Sequence, residues 1–252
     1  MTIPEGKKVY FSSDNHLGAP SQSESRPREI RFVKWLDSIK TDAAAIFLLG
    51  DLFDFWFEYK HVVPKGFVRV LGKLAEIKDS GIPIYFFVGN HDLWMKDYFK
   101  EELNIPVFHQ PKEFTFNNKT FLVGHGDGLG PGDHGYKKMK KVFTNPFSKW
   151  FYRWLHPDLG VPLAQYFSVK NKAISGVEDQ EFLGEDKEWL IQYCRRKLKE
   201  KHYDFFLFGH RHLPLDIQLN ENSRYINTGD WITHYTYAEF DGHKVSLKKL
   251  NS

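Results

Sequence analysis

Cysteine is almost missing: Cys194 is the one residue of its kind among 252, so no internal disulfide can form, which fits a reducing compartment. Long apolar runs are missing too, and none approaches the ~20 residues that a bilayer-spanning helix needs. The first residues, Met1-Thr2-Ile3-Pro4-Glu5-Gly6-Lys7-Lys8, lead into a strand-like run and carry no signal-peptide apolar segment. A large excess of one charge is also absent. The formal net charge of +3 is too small to argue for a nucleic-acid partner. There are no internal repeats or low-complexity tracts. These absences point to a cytoplasmic protein whose contact with a membrane, where it has one, is made from the surface.

What is abundant is aromatic: 17% of the chain, with 23 Phe and 7 Trp. Phenylalanine-rich core is the plain reading, and a lining for an apolar ligand is the other. Several apolar runs end in small polar clusters. Val9-Tyr10-Phe11 leads to Asp14-Asn15-His16, Ala45–Leu49 to Gly50-Asp51, and Ile84–Val88 to Gly89-Asn90-His91-Asp92. Phe121-Leu122-Val123 leads to Gly124-His125-Gly126-Asp127, and Phe205–Phe208 to Gly209-His210-Arg211-His212. Four or five apolar residues rich in β-formers and bounded by glycine predict buried strands. Helical spacing over 28–40 and 66–79 predicts helices between the first of them, hence an α/β chain with parallel strands and right-handed crossovers. In such sheets the carboxyl ends of the strands carry the ligand site, and all five polar clusters lie at such ends. After residue 213, four short strands (214–219, 223–227, 234–240, 244–250) predict an antiparallel meander extending the second of two packed sheets, with Asp241-Gly242 as a hairpin turn. Residues 130–200 break the strand rhythm and predict a helical insertion over the site within a single domain spanning 1–252. In that insertion Asn145-Pro146 supplies an N-cap and first helical residue, and Pro157 a stop.

The clusters supply two aspartates, one asparagine and four histidines: Asp14, His16, Asp51, Asn90, His125, His210 and His212. Carboxylate and amide oxygens with imidazole nitrogens suit divalent cations, and the lack of cysteine argues against a structural zinc site. Two cations ~3.5–4 Å apart can clamp an in-line phosphoryl displacement, with Asp51 as the natural bridge between them. Residues two apart in an extended chain share a face, which pairs Asp14 with His16 and His210 with His212. His91, next to Asn90, falls near the scissile group as a general acid or charge stabiliser. Each motif alone is weak; five of them in this order are not.

In this pattern the chain resembles the calcineurin-like metallophosphoesterase family: Asp-x-His, Gly-Asp-x-x-Asp, Gly-Asn-His-Asp, a later His, and Gly-His-x-His. The resemblance implies a β-sandwich flanked by helices and two divalent metals. Asp14, His16, Asp51 and His212 would hold one metal, and Asp51, Asn90, His125 and His210 the other. His91 would stand beside the phosphate, oriented by Asp54. The stretches Gly50–Trp56, His125–Leu129 with Asp133, the helical insertion, and Asn227–Trp231 resemble one branch of the family in particular. That branch hydrolyses the pyrophosphate of a nucleotide-linked diacyl sugar in lipid A biosynthesis, giving a lipid monophosphate and UMP, usually with manganese (Fe, Zn and Mg being alternatives). It works peripherally at the cytoplasmic face of the inner membrane. His91 departs from the branch, which often has Arg there, so a relative acting on another nucleotide-linked or phosphodiester substrate is the alternative.

The insertion carries the expected lipid selectivity. Phe147, Trp150, Phe151, Trp154 and Leu155 fall on one helical face, either packing on the core, holding acyl chains, or lying on a lipid surface with basic residues toward anionic headgroups. Lys137, Lys138, Lys140 and Lys141 favour the last. Asp133, Arg211, Trp150, Trp154, Ser168, Lys170, Asn171 and Lys172 are candidate substrate contacts; for Arg211 an ion pair is an equal expectation. A nuclease would want an extended basic groove, and a non-catalytic binding module would have lost ligands. No protein partner is implied.

Overall fold

The computed structural model describes residues 1–132, 134–175, 182 and 184–250, with the backbone alone for 167–175. The first sheet takes its centre from parallel strands β1 (Lys8–Ser12), β2 (Ala43–Leu48), β3 (Ile84–Phe87) and β4 (Val107–Phe108). Helices α1 (Gln22–Ile39), α2 (Val68–Asp79) and α3 (Tyr98–Leu103) follow the first three of them in turn. Ser21 caps α1 by accepting from the Glu24 amide, a capping box visible as Ser-x-x-Glu.

The second sheet begins with the hairpin β5 (Lys112–Phe116) and β6 (Lys119–Val123), turned at Asn117-Asn118, both at positive φ. Helices α4 (His134–Thr144), α5 (Pro146–Trp154) and α6 (Pro157–Ser175) come next, then α7 (Trp189–Glu200), β7 (Phe205–Phe208), β8 (Pro214–Asn220), β9 (Ser223–Thr228), β10 (Thr236–Phe240) and β11 (Val245–Lys249). The sheet order is β5-β6-β7-β9-β8, with β6, β7 and β9 parallel. The expected meander is split. β8 and β9 extend the second sheet, but β10 and β11 join the first, in the order β11-β10-β1-β2-β3-β4. The crossing is made by the loop after β9, whose buried Trp231 docks in the first sheet's core and donates from its indole to Ser12 Oγ at 2.8 Å.

Alternation along each strand builds the layers. Val9 and Phe11 of β1 with Ala45 and Phe47 of β2 face Phe121, Leu207 and Ile226 of the second sheet. Tyr10, Ile46 and Leu48 turn the other way, onto Phe32, Trp35 and Leu36 of α1 and Leu74 of α2. On the far side, Leu190, Ile191 and Cys194 of α7 pack on Phe206, Phe208 and Tyr225. The arrangement is a β-sandwich between two helical layers. The segment 130–200 therefore holds two kinds of helix: α7 belongs to the core, whereas α4 and α5 bury no residue. Among the described residues no helix is long and apolar enough to cross a membrane.

Candidate metal centre

Parallel strands deliver their carboxyl ends to one edge, and the polar clusters meet there. Asp14 and His16 follow β1, Asp51 and Asp54 follow β2, and Asn90, His91 and Asp92 follow β3. His125 follows β6, while His210 and His212 follow β7. Potential ligand atoms of Asp14, His16 and His212 lie within 4.8 Å of one another, as do those of Asp14, Asp51 and His125, and of His16, Asp51 and His91. Asn90 joins through its Oδ1, 3.2 Å from His125 Nε2, and His210 through its ring, 5.1 Å from that of His125. All seven expected ligands are thus brought together.

The backbone is bent to achieve this. Asp14 (φ 54°), His16 (φ 44°), Asp51 (φ 53°), His210 (φ 72°) and His212 (φ 52°) all occupy the left-handed region. Such residues cost about 1–3 kcal/mol each and persist only where neighbours over-determine them. Here the Asp14 amide donates to Gly50 O, the His16 amide to Asp51 O at 2.8 Å, and the His210 amide to Asp14 Oδ2 at 2.9 Å. Gly50 is required at its turn: a Cβ there would stand 2.6 Å from His125 Nδ1 and 2.7 Å from the Gly89 nitrogen.

The donor atoms suit cations. Asp14 Oδ1 is buried and accepts no hydrogen bond, with His212 Nε2 at 3.4 Å and His16 Nε2 at 3.9 Å. His16 Nε2 and His212 Nε2 face each other at 3.1 Å. Behind them, His16 Nδ1 is 3.3 Å from Asp54 Oδ1, and His212 Nδ1 is 3.6 Å from Asp230 Oδ2. His125 Nδ1 donates to Leu49 O at 2.7 Å, which turns its Nε2 toward Asp51 Oδ2 at 3.5 Å. Carboxylates or carbonyls behind imidazoles whose other nitrogens converge are the usual backing of metal-ligating histidines. His91 is also backed by Asp54, through the Asp54 carbonyl at 3.1 Å and Oδ1 at 3.5 Å. Its side chain keeps 15% of its surface exposed on the open side of the site.

Electrostatics lead the same way. Burial opposes charge on His125, yet the Asp51 carboxylate beside it raises the imidazole to about 10. Burial would lift Asp51, but the facing His125 and His91 hold its carboxyl well below the usual range. Burial and then repulsion by His125 push His210 down to about 3. The buried Asp51 carboxylate thus draws positive charge to its neighbours, and divalent ions held by neutral imidazoles would supply it in their place.

Sequence reasoning did not single out four contributors. Asp92 is buried and accepts from the Gly89 and Leu52 amides, fixing the Asn90-His91 turn. Asp230 backs His212, and its signal was the aspartate of the Gly229-Asp230 turn. Arg28 donates through Nη2 to His16 O at 2.7 Å and Ala19 O at 2.6 Å. Glu188, 3% exposed, takes both edges of the Arg211 guanidinium at 2.9 Å, which is the ion-pair expectation for Arg211. Of the other candidate substrate contacts, Trp150 and Trp154 stand on α5 with 53% and 75% of their surface exposed. Asp133 and the side chains of Ser168, Lys170, Asn171 and Lys172 lie outside the described residues.

Several known proteins resemble this chain. The family model for calcineurin-like phosphoesterases matches residues 7–214. A relative from Porphyromonas gingivalis, named UDP-2,3-diacylglucosamine hydrolase, is 36% identical, with 96% of this chain and 97% of the relative covered. A protein of the same name from Ectopseudomonas mendocina is 29% identical over 93% of this chain and 94% of its own. Among solved structures, the phosphoesterase Yfce from E. coli aligns at a TM-score of 0.49 with 17% identity, covering 97% of this chain and 93% of the other.

Proposed function

The chain belongs to the calcineurin-like phosphoesterase family, and we propose that within it the protein hydrolyses UDP-2,3-diacylglucosamine to 2,3-diacylglucosamine 1-phosphate and UMP, a step of lipid A biosynthesis. The observation that carries this reading is the 36% identity to a hydrolase of that name along 96% of the chain.

In this reading Asp14, His16, Asp51 and His212 hold one divalent cation, Asp51, Asn90, His125 and His210 hold the second, and manganese is the ion. Such a pair supplies Lewis acidity toward pyrophosphate oxygens and a nucleophile at neutral pH. The protein's own part is orientation. The strained loops fix the donors before substrate arrives, so little reorganisation is left for the reaction. Asp54 holds His91 by Nδ1, leaving its other nitrogen to donate to a phosphate oxygen as charge develops there. Water adds to one phosphorus, the bond from that phosphorus to the bridging oxygen breaks, and the oxygen leaves on the other phosphate.

The lipid half is assigned to α5 and the start of α6. Phe147 (75% exposed), Phe151 (68%), Trp154 (75%) and Leu159 (68%) form an apolar face that the described chain leaves uncovered. A small soluble substrate would not need it. The protein would work peripherally at the cytoplasmic face of the inner membrane.

The test is a substrate panel: UDP-2,3-diacylglucosamine, bis(p-nitrophenyl) phosphate and cyclic nucleotides, with products identified by mass spectrometry. UMP and the lipid monophosphate are expected from the first. Turnover of the others alone would move the protein to a different substrate class. Asp51→Ala should lose both hydrolysis and bound metal by elemental analysis, and full retention of either would end the two-metal assignment.

A further inference from the structure

Three of the four histidines proposed as ligands have a partner behind the ring: Asp54 for His16, Leu49 O for His125 and Asp230 for His212. His210 differs. Its ring lies 5.1 Å from that of His125 between centroids, and among the described residues no carboxylate or carbonyl oxygen accepts from it. An imidazole without such backing takes its aim from its own backbone.

That backbone is held on one side by Asp14, whose carboxylate accepts from the His210 amide at 2.9 Å. On the other side it is held through its neighbour. Arg211 Nε donates to Glu188 Oε2 and Arg211 Nη2 to Glu188 Oε1, both at 2.9 Å. Two parallel bonds fix the plane of a guanidinium as well as its place. The pair is deep: the Glu188 side chain keeps 3% of its surface and that of Arg211 14%. Such a pair is weak ground for stability, because desolvation offsets much of the attraction.

Glu188 is also placed unusually. It is the N-cap residue of α7, where Ser, Thr, Asp or Asn would turn its side chain back onto the first amides of the helix. The Glu188 carboxylate caps nothing in its own helix and reaches across to the loop after β7 instead. Two positions on, Leu190 is wedged beside the ligand loops. A Cβ on Gly126 would stand 3.0 Å from Leu190 Cδ1 and 3.5 Å from His210 Cβ. Gly126 follows His125, so the first turn of α7 bears on the chain at both histidines assigned to the second cation. The helix itself is anchored in the core through Ile191 and Cys194.

We propose that Glu188 is a positioning residue for the second cation: through Arg211 it fixes the loop that aims His210, the part that Asp54, Leu49 O and Asp230 play for the other three imidazoles. This rests on the two-metal reading above. Calorimetric titration of the metal-free protein with manganese tests it. Glu188→Gln keeps the shape and one acceptor but loses the charge. One of the two manganese affinities should fall about 10–100-fold, the usual cost of losing a partner behind a ligand, and the other should stay within threefold. Hydrolysis of bis(p-nitrophenyl) phosphate should fall at limiting manganese and return at saturating manganese. Asn90→Ala, which removes a ligand of the second cation alone, identifies the site affected. Added to that background, Glu188→Gln should weaken the remaining ion less than threefold.

A merely structural pair would lower the melting temperature of the metal-free protein and leave both affinities within threefold, and that result overturns the proposal. So does an equal loss at both sites, or a tenfold loss on the Asn90→Ala background, since either takes the effect away from His210. Should Glu188→Gln fail to fold, Glu188→Leu/Arg211→Met replaces the ion pair by apolar groups, which buried pairs often tolerate, and the same selective loss is expected of it. Wild-type protein that takes up a single manganese would remove the two-metal reading. The part of Glu188 is then decided on that ion, and an unchanged affinity overturns it.

Discussion

At the scale of single residues, the centre is held by groups that do not touch metal. Arg28 reaches from α1 to the carbonyls of His16 and Ala19 and lies beside Asp54 and Asp230, the two carboxylates that back His16, His91 and His212. One guanidinium thus fixes the main chain of a strained ligand and the charge behind three imidazoles. Arg28→Met should weaken metal binding by about 10–100-fold, the usual cost of losing a partner behind the ligands. Arg28→Lys should recover part of it. Calorimetric titration of manganese reads this, and an unchanged affinity would show that Arg28 serves only the α1 packing. The ligands themselves were legible because each is a metal-binding residue type at a strand end, and four of them, Asp51, Asn90, His125 and His210, directly follow a glycine. Arg28 was not, because its partners come from the turn before its own helix and from chain about 200 residues away.

Asp204 shows the same economy outside the site. It stands just before β7, accepts from the Thr120 amide at 2.8 Å and from Lys119 Nζ at 2.9 Å, and so ties β6 to β7. Burial works to raise its pKa, but these donors outweigh burial and hold the carboxyl below its ordinary value. A carboxyl with its folded value below its unfolded value stabilises above the unfolded one, near pH 4. That stability is lost as pH falls through the folded value. Asp204→Asn keeps an acceptor and loses the charge, so melting should fall by about 3 °C at pH 7. The gap between variant and wild type should narrow as pH falls through the folded value and close below it. A gap that persists at pH 2 would mean the loss is steric.

Among the elements, nine of the strands and the helices α1 and α2 follow from apolar periodicity, but β4 and β5, short and only partly buried, do not, and neither does the assignment of strands to sheets. Thr228-Gly229-Asp230 reads as a turn between two strands of one meander, and only the burial of Trp231 under α1 shows why the chain crosses over and adds β10 to β1. Helix α5 was legible in outline: Asn145 accepts from the Phe147 amide at 2.8 Å, Pro146 opens the helix, and it ends at Trp154. What periodicity leaves open is whether an amphipathic helix faces core or solvent. Tyr152 turns inward, against Phe57 at 4.6 Å and Trp94 at 4.7 Å between centroids, while Trp150 and Trp154 stay out. Trp150→Glu should therefore leave the melting temperature within about 1 °C, as surface changes do, and abolish flotation with anionic vesicles. Flotation that survives, or stability that collapses, would place Trp150 in packing instead.

For the molecule as a whole, we propose that 1–252 folds as one domain with the helices of 130–200 inserted between β6 and β7 of its second sheet. Such a fold divides its stability unevenly. Strands β1, β2 and β7 are buried on both faces between helical layers, whereas α4 and α5 bury no residue and touch the rest through a few aromatic edges, Trp94 Nε1 donating to Phe143 O at 2.7 Å, and polar bonds of Tyr136 and Lys140 to Asp127 and of Lys137 to Gly130 O. Opening free energy scales with the apolar surface that each unit covers. Amides of α4 and α5 should exchange with deuterium through local opening, orders of magnitude faster than those of β1 or β7, which should wait for global unfolding. Lipid should change one part of this pattern. If α5 meets acyl chains, zwitterionic micelles should slow exchange in 146–154 and leave β7 as it was. If α5 instead proves as protected as β7 before any lipid is added, its apolar face is already covered, and the route from an exposed aromatic helix to a lipid substrate fails even though the metal centre stands.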